Sequence, residues 1–287
     1  MTSDLKILTF DLEEWFHILD HDLTKEEAQW QAFPSRINRN TGRILDLLGE
    51  TGLQATFFCL GWIARKYPDV IKKISAAGHE VACHSDMHRL VYEQSPAGFR
   101  EDAVRAIGIL EDLTAKKVVS YRAPGFSITG QTTWAFEILA ELGIRRDSSV
   151  FPARRAHGGF PAFGSALPTL IRIKGMEIRE FPVNTWSFAG KPLVFSGGGY
   201  FRLLPWPILD FMMKKSNYVM TYFHPRDFDP GQPVIPGLTP ARRFKSYVGL
   251  GSSFNKLGRM LRDHHFVSLG EADSLTDWNN VKQIIYA

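Results

Sequence analysis

The first half of the chain alternates between short apolar runs and longer segments in which apolar residues recur every three or four positions. Short apolar runs predict strands, and the longer periodic segments predict helices. The predicted strands are residues 5–10, 55–58, 79–82, 117–121 and 145–148, and the predicted helices are residues 38–49, 68–78, 96–113 and 132–142. This alternation predicts an α/β fold, with a parallel sheet or barrel and helices outside it.

The alternation stops at about residue 150. Residues 151–176 are rich in Gly, Pro and Arg and predict a long loop. The remaining segments are predicted as strands at 177–183, 218–223 and 266–269, helices at 205–215 and 240–264, and a tight glycine turn at 197–200. The chain shows no internal repeat and no linker, so we predict one domain over residues 1–287. Its core lies in residues 5–230, and residues 231–287 form a C-terminal extension.

Two histidines, His84 and His88, follow the predicted strand 79–82 and are four residues apart. On a helical turn such residues share a face, so both rings could reach one metal ion. A metal site also needs another ligand, usually a carboxylate. The acidic cluster after the first strand, Asp11, Glu13 and Glu14, could supply it, because polar groups at the carboxyl ends of barrel strands gather on one face. Two surface or helix-capping histidines are the alternative interpretation.

Composition and charge exclude several classes of protein. A hydrophobic fraction of 44% with mixed charges argues against disorder. The net charge of +4 comes from scattered basic residues, and no motif indicates nucleic-acid binding. No apolar run reaches transmembrane length, and the first residues do not resemble a signal peptide. We therefore expect a cytoplasmic protein, unless a signal segment has been removed.

Five segments, taken in order, resemble the polysaccharide deacetylases that share the NodB homology domain, carbohydrate esterase family four. They are TFDLE at 9–13, HSDMH at 84–88, YRAPGFS at 121–127, DSS at 147–149 and YFHP at 222–225. The resemblance covers about residues 5–270 and implies a single distorted (β/α)7-type barrel. Segments 198–202 and 222–230 resemble the subgroup often linked to bacterial exopolysaccharide loci. The implied activity is hydrolytic removal of acetyl groups from the N-acetylated sugars of a glycan.

The resemblance also implies a divalent metal held by His84, His88 and a carboxylate. Zn²⁺ is the first choice, and Co²⁺, Ni²⁺ and Mn²⁺ are alternatives. Asp11 and Glu13 are two residues apart, so on a strand both would project to the same side. We expect Asp11 to be the general base and Glu13 the third ligand. The family usually has adjacent aspartates here, whereas this chain has Leu12 at the second position, which leaves Glu14 or a weak or absent metal as alternatives.

Further roles follow from the remaining segments. Arg122 resembles the arginine that pairs with the base aspartate, and His224 resembles the general acid that protonates the departing amine. Asp147 is expected either to orient His224 or to cap the next turn. The backbone amide near Gly125 could complete an oxyanion hole, and aromatic side chains could form a floor for a sugar ring. The expected substrate-binding residues are Gly125, Phe126, Trp186 and Tyr200.

Two other functions are compatible with this sequence. One is an amidohydrolase that acts on a small cyclic amide or ureide. The other is a catalytically inactive carbohydrate-binding protein on the same fold. The presence of both His84 and His88 argues against a metal-free relative, and the presence of Asp11, Arg122 and His224 argues against a decayed site.

Overall fold

The computed structural model describes residues 4–19, 21–155, 157–188 and 191–286, so the ends of the predicted domain at 1–3 and 287 lie outside the described residues. The strands are β1 (Leu5–Ile7), β2 (Thr9–Leu12), β3 (Thr56–Cys59), β4 (Glu80–Cys83), β5 (Ser120–Tyr121), β6 (Arg146–Asp147), β7 (Thr169–Ile173), β8 (Met176–Glu180), β9 (Trp186–Phe188), β10 (Lys191–Leu193), β11 (Tyr218–Met220) and β12 (Lys282–Tyr286). The helices are α1 (Glu27–Trp30), α2 (Ile37–Thr51), α3 (Gly61–Lys66), α4 (Pro68–Ala76), α5 (Pro96–Thr114), α6 (Trp134–Glu141), α7 (Gly198–Leu203), α8 (Trp206–Lys215), α9 (Pro240–Tyr247), α10 (Leu250–Asp263) and α11 (Leu269–Leu275). Within these ranges, none of the helices is long and apolar enough to cross a membrane.

The main sheet has eight strands in the order β12-β7-β8-β6-β5-β4-β3-β2. Its neighbours pair in parallel, except that β7 and β8 are antiparallel. β11 continues this arrangement beside β1 and β2, where the Asp11 N–H donates to the Phe223 carbonyl at 2.7 Å. Strands β11, β2, β3, β4, β5, β6 and β8 thus follow one another in parallel, as in a distorted seven-stranded barrel. The predicted α/β class is confirmed.

The edge between β8 and β11 is joined mainly through side chains. The Met220 N–H donates to Asn184 Oδ1 at 3.0 Å, and the Tyr218 hydroxyl donates to the Pro182 carbonyl at 2.7 Å. Gly197 and Tyr222 form an isolated parallel bridge at the same edge. The barrel is therefore irregular here, and β7 and β12 extend the sheet beyond β8 instead of closing the barrel.

Helices and sheet bury one large apolar cluster and two smaller ones. Strands β2 and β3 are buried along their whole length, as expected for parallel strands covered on both faces. Pro68 and Pro96 occupy the first turns of α4 and α5, and Ser95 caps α5 by accepting the Gly98 N–H at 3.1 Å. Gly52, with φ of 68°, ends α2 in the left-handed conformation that glycine adopts most easily.

The second half differs from the prediction in several places. The predicted helix 240–264 is divided into α9 and α10, and β9, β10 and β12 were not predicted. β7 lies inside the predicted loop 151–176 and forms a hairpin with β8 through Lys174 and Gly175, whose φ angles of 47° and 80° allow a tight two-residue turn. The predicted glycine turn begins helix α7 instead. The predicted strand 266–269 is limited to one bridge between Val267 and Ile7, and the chain continues into α11.

Candidate active site

The two histidines lie in the loop that follows β4, not on a helical turn. Ser85 and His88 have φ angles of 72° and 55°, a left-handed conformation that is costly for these residues and often occurs at functional sites. The loop is anchored by Asp102 on α5, which accepts the N–H groups of Asp86 at 2.7 Å and Met87 at 3.2 Å. This anchored reversal turns both imidazole rings in the same direction.

Glu13 meets both rings at the end of β2. Its Oε1 atom lies 2.9 Å from His84 Nε2 and 2.8 Å from His88 Nε2, and the three side chains are buried. Burial alone would raise the pKa of Glu13, but the charges of His88 and His224 and the hydrogen bonds from His84 and His88 hold this pKa well below its usual value. Glu13 is therefore a carboxylate in the site.

The donor atoms fit a divalent cation. His84 Nδ1 lies 2.7 Å from the Arg122 carbonyl oxygen, which can only accept, so Nδ1 carries the ring proton. In the neutral ring, the Nε2 lone pair then faces a carboxylate oxygen at 2.9 Å, an arrangement that needs a cation or a proton between the two atoms. Two imidazole nitrogens and one carboxylate oxygen match the ligand set of catalytic zinc sites, and the Nδ1 hydrogen bond orients the ring as in such sites.

Glu14 points away from the histidines and caps helix α2. Its carboxylate accepts the N–H groups of Arg36 at 3.0 Å and Ile37 at 3.2 Å, together with the hydroxyl of Ser35. Burial raises the pKa of Glu14. Of the two adjacent glutamates, the structure thus brings only Glu13 to the histidine pair.

Asp11 is held by a fully buried arginine. Arg122 Nη1 donates to Asp11 Oδ1 at 2.6 Å and to Thr9 Oγ1 at 2.8 Å. The same guanidinium donates from Nη2 to Ser148 Oγ at 2.9 Å and lies 4.1 Å over the Phe58 ring. With its donors committed in this way, Arg122 fixes the orientation of the Asp11 carboxylate.

His224 lies opposite, after β11. Its Nε2 atom is 3.8 Å from both Asp11 Oδ2 and Glu13 Oε1, and its Nδ1 atom is 3.3 Å from Asp227 Oδ2. Burial alone would lower the pKa of His224, but Glu13, Asp227 and Asp11 together raise it to about 9. Arg202 lies 3.4 Å from Asp227 and, with His224, lowers the pKa of that carboxyl to about 2 although burial opposes the shift.

Asp147 does not lie against His224, which corrects the first expectation for this residue. Its carboxylate accepts the Ser149 N–H at 2.8 Å and the Ser149 hydroxyl at 2.7 Å, the turn-capping alternative. Its other neighbour is Glu180, directly opposite on β8. Asp227, which the sequence analysis did not identify, occupies the orienting position.

A cavity of about 640 Å³ opens above these groups. Three of the four expected substrate-binding residues, Gly125, Phe126 and Tyr200, line it. Trp186 packs instead against Phe195 and Phe211, so it is not brought to the site. Cavities of this size, with a few convergent polar groups, are typical of small-molecule and cofactor sites.

His17 is a second residue that the sequence analysis did not identify. It lines the cavity, its ring centre lies 5.8 Å from that of His88, and its Nε2 atom is buried without a hydrogen-bond partner among the described residues. Burial lowers the pKa of His17 to about 3, so the ring is neutral. The sequence signal that could have identified His17 is its position three residues after Glu14, next to the acidic cluster.

Two family models match successive parts of the chain. The model described as polysaccharide deacetylase matches residues 21–146, and a domain of unknown function (DUF3473) matches residues 148–273. The chain therefore contains a polysaccharide deacetylase domain over residues 21–146. The deacetylase match includes His84, His88 and Arg122, whereas Asp11 and Glu13 precede it and His224 follows it.

Curated relatives are similar over short segments. The chain is 32% identical over 98 residues to a peptidoglycan-N-acetylglucosamine deacetylase of Bacillus cereus, a match covering 34% of this chain and 36% of that protein. It is 46% identical over 48 residues to a chitooligosaccharide deacetylase of Rhizobium leguminosarum bv. trifolii, covering 17% and 22%. The chain thus spans only about a third or less of the length of these relatives.

Solved structures share the fold over the whole chain. A proposed polysaccharide deacetylase from Mycobacterium smegmatis has a TM-score of 0.65 at 19% identity, covering 100% of this chain and 95% of that one. A CE4-family pseudoenzyme from Bacillus anthracis has a TM-score of 0.51 at 14% identity, covering 99% and 70%. Because a pseudoenzyme shares the fold, the activity has to be argued from the site.

Proposed function

We propose that the chain is a metal-dependent hydrolase that removes acetyl groups from the N-acetylated sugars of a glycan. One observation carries this proposal: Glu13, His84 and His88 converge beside Asp11 and His224 at the bottom of one cavity. The match of residues 21–146 to the polysaccharide deacetylase model supports the same reaction class, and the complete set of polar groups does not favour an inactive binding protein.

The proposed roles follow from the contacts. When bound by Glu13, His84 and His88, a divalent cation supplies Lewis-acid chemistry, polarising the acetyl carbonyl and making a water molecule more acidic. Asp11, held by Arg122, takes the proton of the attacking water. His224 is oriented by Asp227 and gives a proton to the departing amine.

Binding residues complete the proposed mechanism. The loop at Gly125 lines the cavity, and we assign its backbone amide to the oxyanion that forms during attack. Phe126 and Tyr200 supply apolar surface for the sugar ring. We further propose zinc as the metal, because nitrogen and carboxylate donors suit it, and a bacterial exopolysaccharide or its precursor as the glycan, because segments 198–202 and 222–230 resemble the subgroup linked to such loci.

A combined metal and acetate measurement tests the proposal. The purified protein is analysed for bound metal and assayed for acetate release from N-acetylglucosamine oligomers. We expect one metal ion per chain and measurable release, with losses of about 10²-fold or more in Asp11→Asn and His224→Ala. Glu13→Gln should lose both the metal and the activity.

Glu14→Gln is the matched control. This variant should keep its metal and its activity, because Glu14 only caps α2. Acetate release that persists in Asp11→Asn would contradict the assignment of the base. A protein that binds no metal and releases no acetate from any oligomer would overturn the proposed function.

A further inference from the structure

Each acidic side chain that lines the cavity lies against a basic side chain of the protein itself. Within the described lining, the carboxylates are Asp11, Glu13 and Asp227. Asp11 is paired with Arg122, Glu13 with the two histidines, and Asp227 with His224 and Arg202. These carboxylates are therefore engaged, and none of them forms an ion pair with the lining residues Arg155, Arg226 or Lys245.

Arg226 has a donor that lacks an acceptor. It lines the cavity and donates from Nε to Gln232 Oε1 at 3.1 Å, while its guanidinium lies 5.8 Å over the Tyr247 ring. Its Nη2 atom is buried and has no hydrogen-bond partner in the described part of the chain. A buried charged donor without an acceptor is unfavourable, so an oxygen atom of a ligand would satisfy it.

Arg155 adds a second cation to the lining of the cavity. Its guanidinium lies 5.1 Å over the Phe126 ring and 4.4 Å over the Phe151 ring. Phe126 is also 5.5 Å from the guanidinium of Arg122, so one aromatic ring separates Arg155 from the arginine that binds Asp11. Arg155 is exposed, and it forms no ion pair with any described carboxylate.

Lys245 extends the same pattern on α9. It lines the cavity, its side chain is exposed, and no described carboxylate forms an ion pair with it. Three cationic residues on three separate segments thus face one cavity. Because opposite charges attract strongly in a partly enclosed cleft, this lining favours a negatively charged ligand over a neutral one.

We propose that Arg155, Arg226 and Lys245 form a subsite for an anionic group, a carboxylate or a phosphoryl group, carried by the glycan close to the acetylated sugar. The inference rests on the proposed deacetylase function of the same cavity. Guanidinium groups bind both kinds of oxyanion through paired N–H donors. The preferred substrate would then be an acidic glycan or a sugar phosphate, and neutral N-acetylglucosamine oligomers would be weaker substrates.

Binding can be measured apart from turnover, in Asp11→Asn protein that does not consume the ligand. The probes are tetra-N-acetylchitotetraose, which is neutral, a hyaluronan tetrasaccharide, which carries carboxylates, and N-acetylglucosamine 1-phosphate. We expect at least one anionic probe to bind about tenfold more tightly than the neutral tetrasaccharide at low salt. This preference should shrink at about 0.5 M salt because the charges are screened.

The two anionic probes distinguish the sources of the charge. A preference for the hyaluronan fragment assigns the subsite to a carboxylate, and a preference for the sugar phosphate assigns it to a phosphoryl group. Equal affinity for all three probes at both salt concentrations would overturn the proposal.

Variants locate the effect. Arg155→Ala should lower the ratio of anionic to neutral affinity about tenfold, whereas Arg154→Ala, an exposed neighbour that does not line the cavity, should leave this ratio unchanged. Lys245→Ala is compared in the same way with Arg243→Ala. If Arg155→Ala and Arg154→Ala give the same ratio as the parent, the subsite is wrong.

The two proposals can fail separately. Acetate release from neutral and anionic substrates with equal efficiency would leave the deacetylase in place and overturn the subsite. Selective binding of an anionic probe without acetate release from any substrate would overturn the deacetylase and leave the anion-binding cleft.

Discussion

At the scale of single residues, the protonation of His224 depends on a small number of neighbouring carboxylates. Asp227 contacts both the His224 ring and its backbone N–H, at 3.3 Å and 2.9 Å. Together with Glu13 and Asp11 it raises the pKa of His224 to about 9, against the effect of burial. A general acid must hold its proton until the amine departs, so these carboxylates extend the pH range over which His224 can act.

Replacing Asp227 should move the pH profile. Asp227→Asn keeps the shape of the side chain but removes one of the charges that raise the pKa of His224, so this pKa should fall. The basic limb of the kcat profile should shift to lower pH, and kcat at pH 8 should fall by about tenfold or more. Asp147→Asn is the comparison, since Asp147 lies against Ser149 and Glu180. An equal shift in both variants would contradict the assignment of Asp227.

Sequence analysis identified candidate site residues where a charged or metal-binding side chain lies within one of the five segments that resemble the family. It did not reach Asp227, because the 3₁₀ turn Pro225–Phe228 is needed to bring a residue three positions later back to the ring. It also did not decide whether Glu13 or Glu14 is the third metal ligand, because the directions of these two side chains depend on the path of the chain after β2. The choice between them depends on α2, whose first N–H groups require an acceptor.

At the scale of elements, strands β6 and β8 place two acids face to face inside the protein. Asp147 and Glu180 are direct partners in the parallel ladder, and both are fully buried. Burial raises the pKa of both carboxyl groups, and the charge of Asp147 raises that of Glu180 further. Glu180 therefore keeps its proton in the folded state at a pH where it loses the proton on unfolding.

This pair predicts the direction of a pH effect on stability. When the folded state binds more protons than the unfolded state, the free energy of unfolding falls as the pH rises above the unfolded pKa, by up to about 1.4 kcal/mol per pH unit for one group. Glu180→Gln removes this titration. Its melting temperature should fall less than that of the parent between about pH 5 and about pH 8.

Glu177→Gln, an exposed substitution on the same strand, is the control for this measurement. It should follow the pH dependence of the parent. A Glu180→Gln protein with an unchanged pH dependence would show that Glu180 does not hold a proton in the folded state.

Elements with strong local signals were predicted well, and those fixed by distant contacts were not. The N-terminal strands and helices combine apolar periodicity with Pro and Gly at their ends, and the structure confirms them. α7 was missed because glycine disfavours helix, whereas the structure anchors it through Arg202, which donates to the carbonyls of Lys245 and Ser246. The hairpin of β7 and β8 depends on a two-residue turn that was read as part of a loop.

At the scale of the whole molecule, the site joins the two segments matched by separate family models. His84 and His88 come from residues 21–146, and His224 comes from residues 148–273. The sheet also crosses this boundary, since β6 pairs with β5 on one side and with β8 on the other. We propose that both segments fold as one unit, and we expect a single cooperative unfolding transition.

Metal binding should stabilise this unit as a whole, because Glu13 follows β2 while His84 and His88 follow β4. A ligand that binds only the folded state, at a hundredfold excess over its Kd, adds about 2.7 kcal/mol to the free energy of unfolding. For a chain of this size that corresponds to a rise of about 5 °C or more in the melting temperature. A chelator should therefore lower the melting temperature of the parent by this amount, and added Zn²⁺ should restore it.

Two variants distinguish a metal effect from a general loss of stability. His88→Ala removes one ligand, so its melting temperature should no longer respond to Zn²⁺ or to the chelator. Glu14→Gln weakens the α2 cap, so its free energy of unfolding should fall by about 1 kcal/mol and its melting temperature should fall with it. It should nevertheless keep the full response to Zn²⁺. If Glu14→Gln lost the response while Glu13→Gln kept it, the ligand would be the other glutamate, and the orientation of the chain after β2 would have to be revised. A His88→Ala protein that still gained stability from Zn²⁺ would place the metal outside the Glu13, His84 and His88 site.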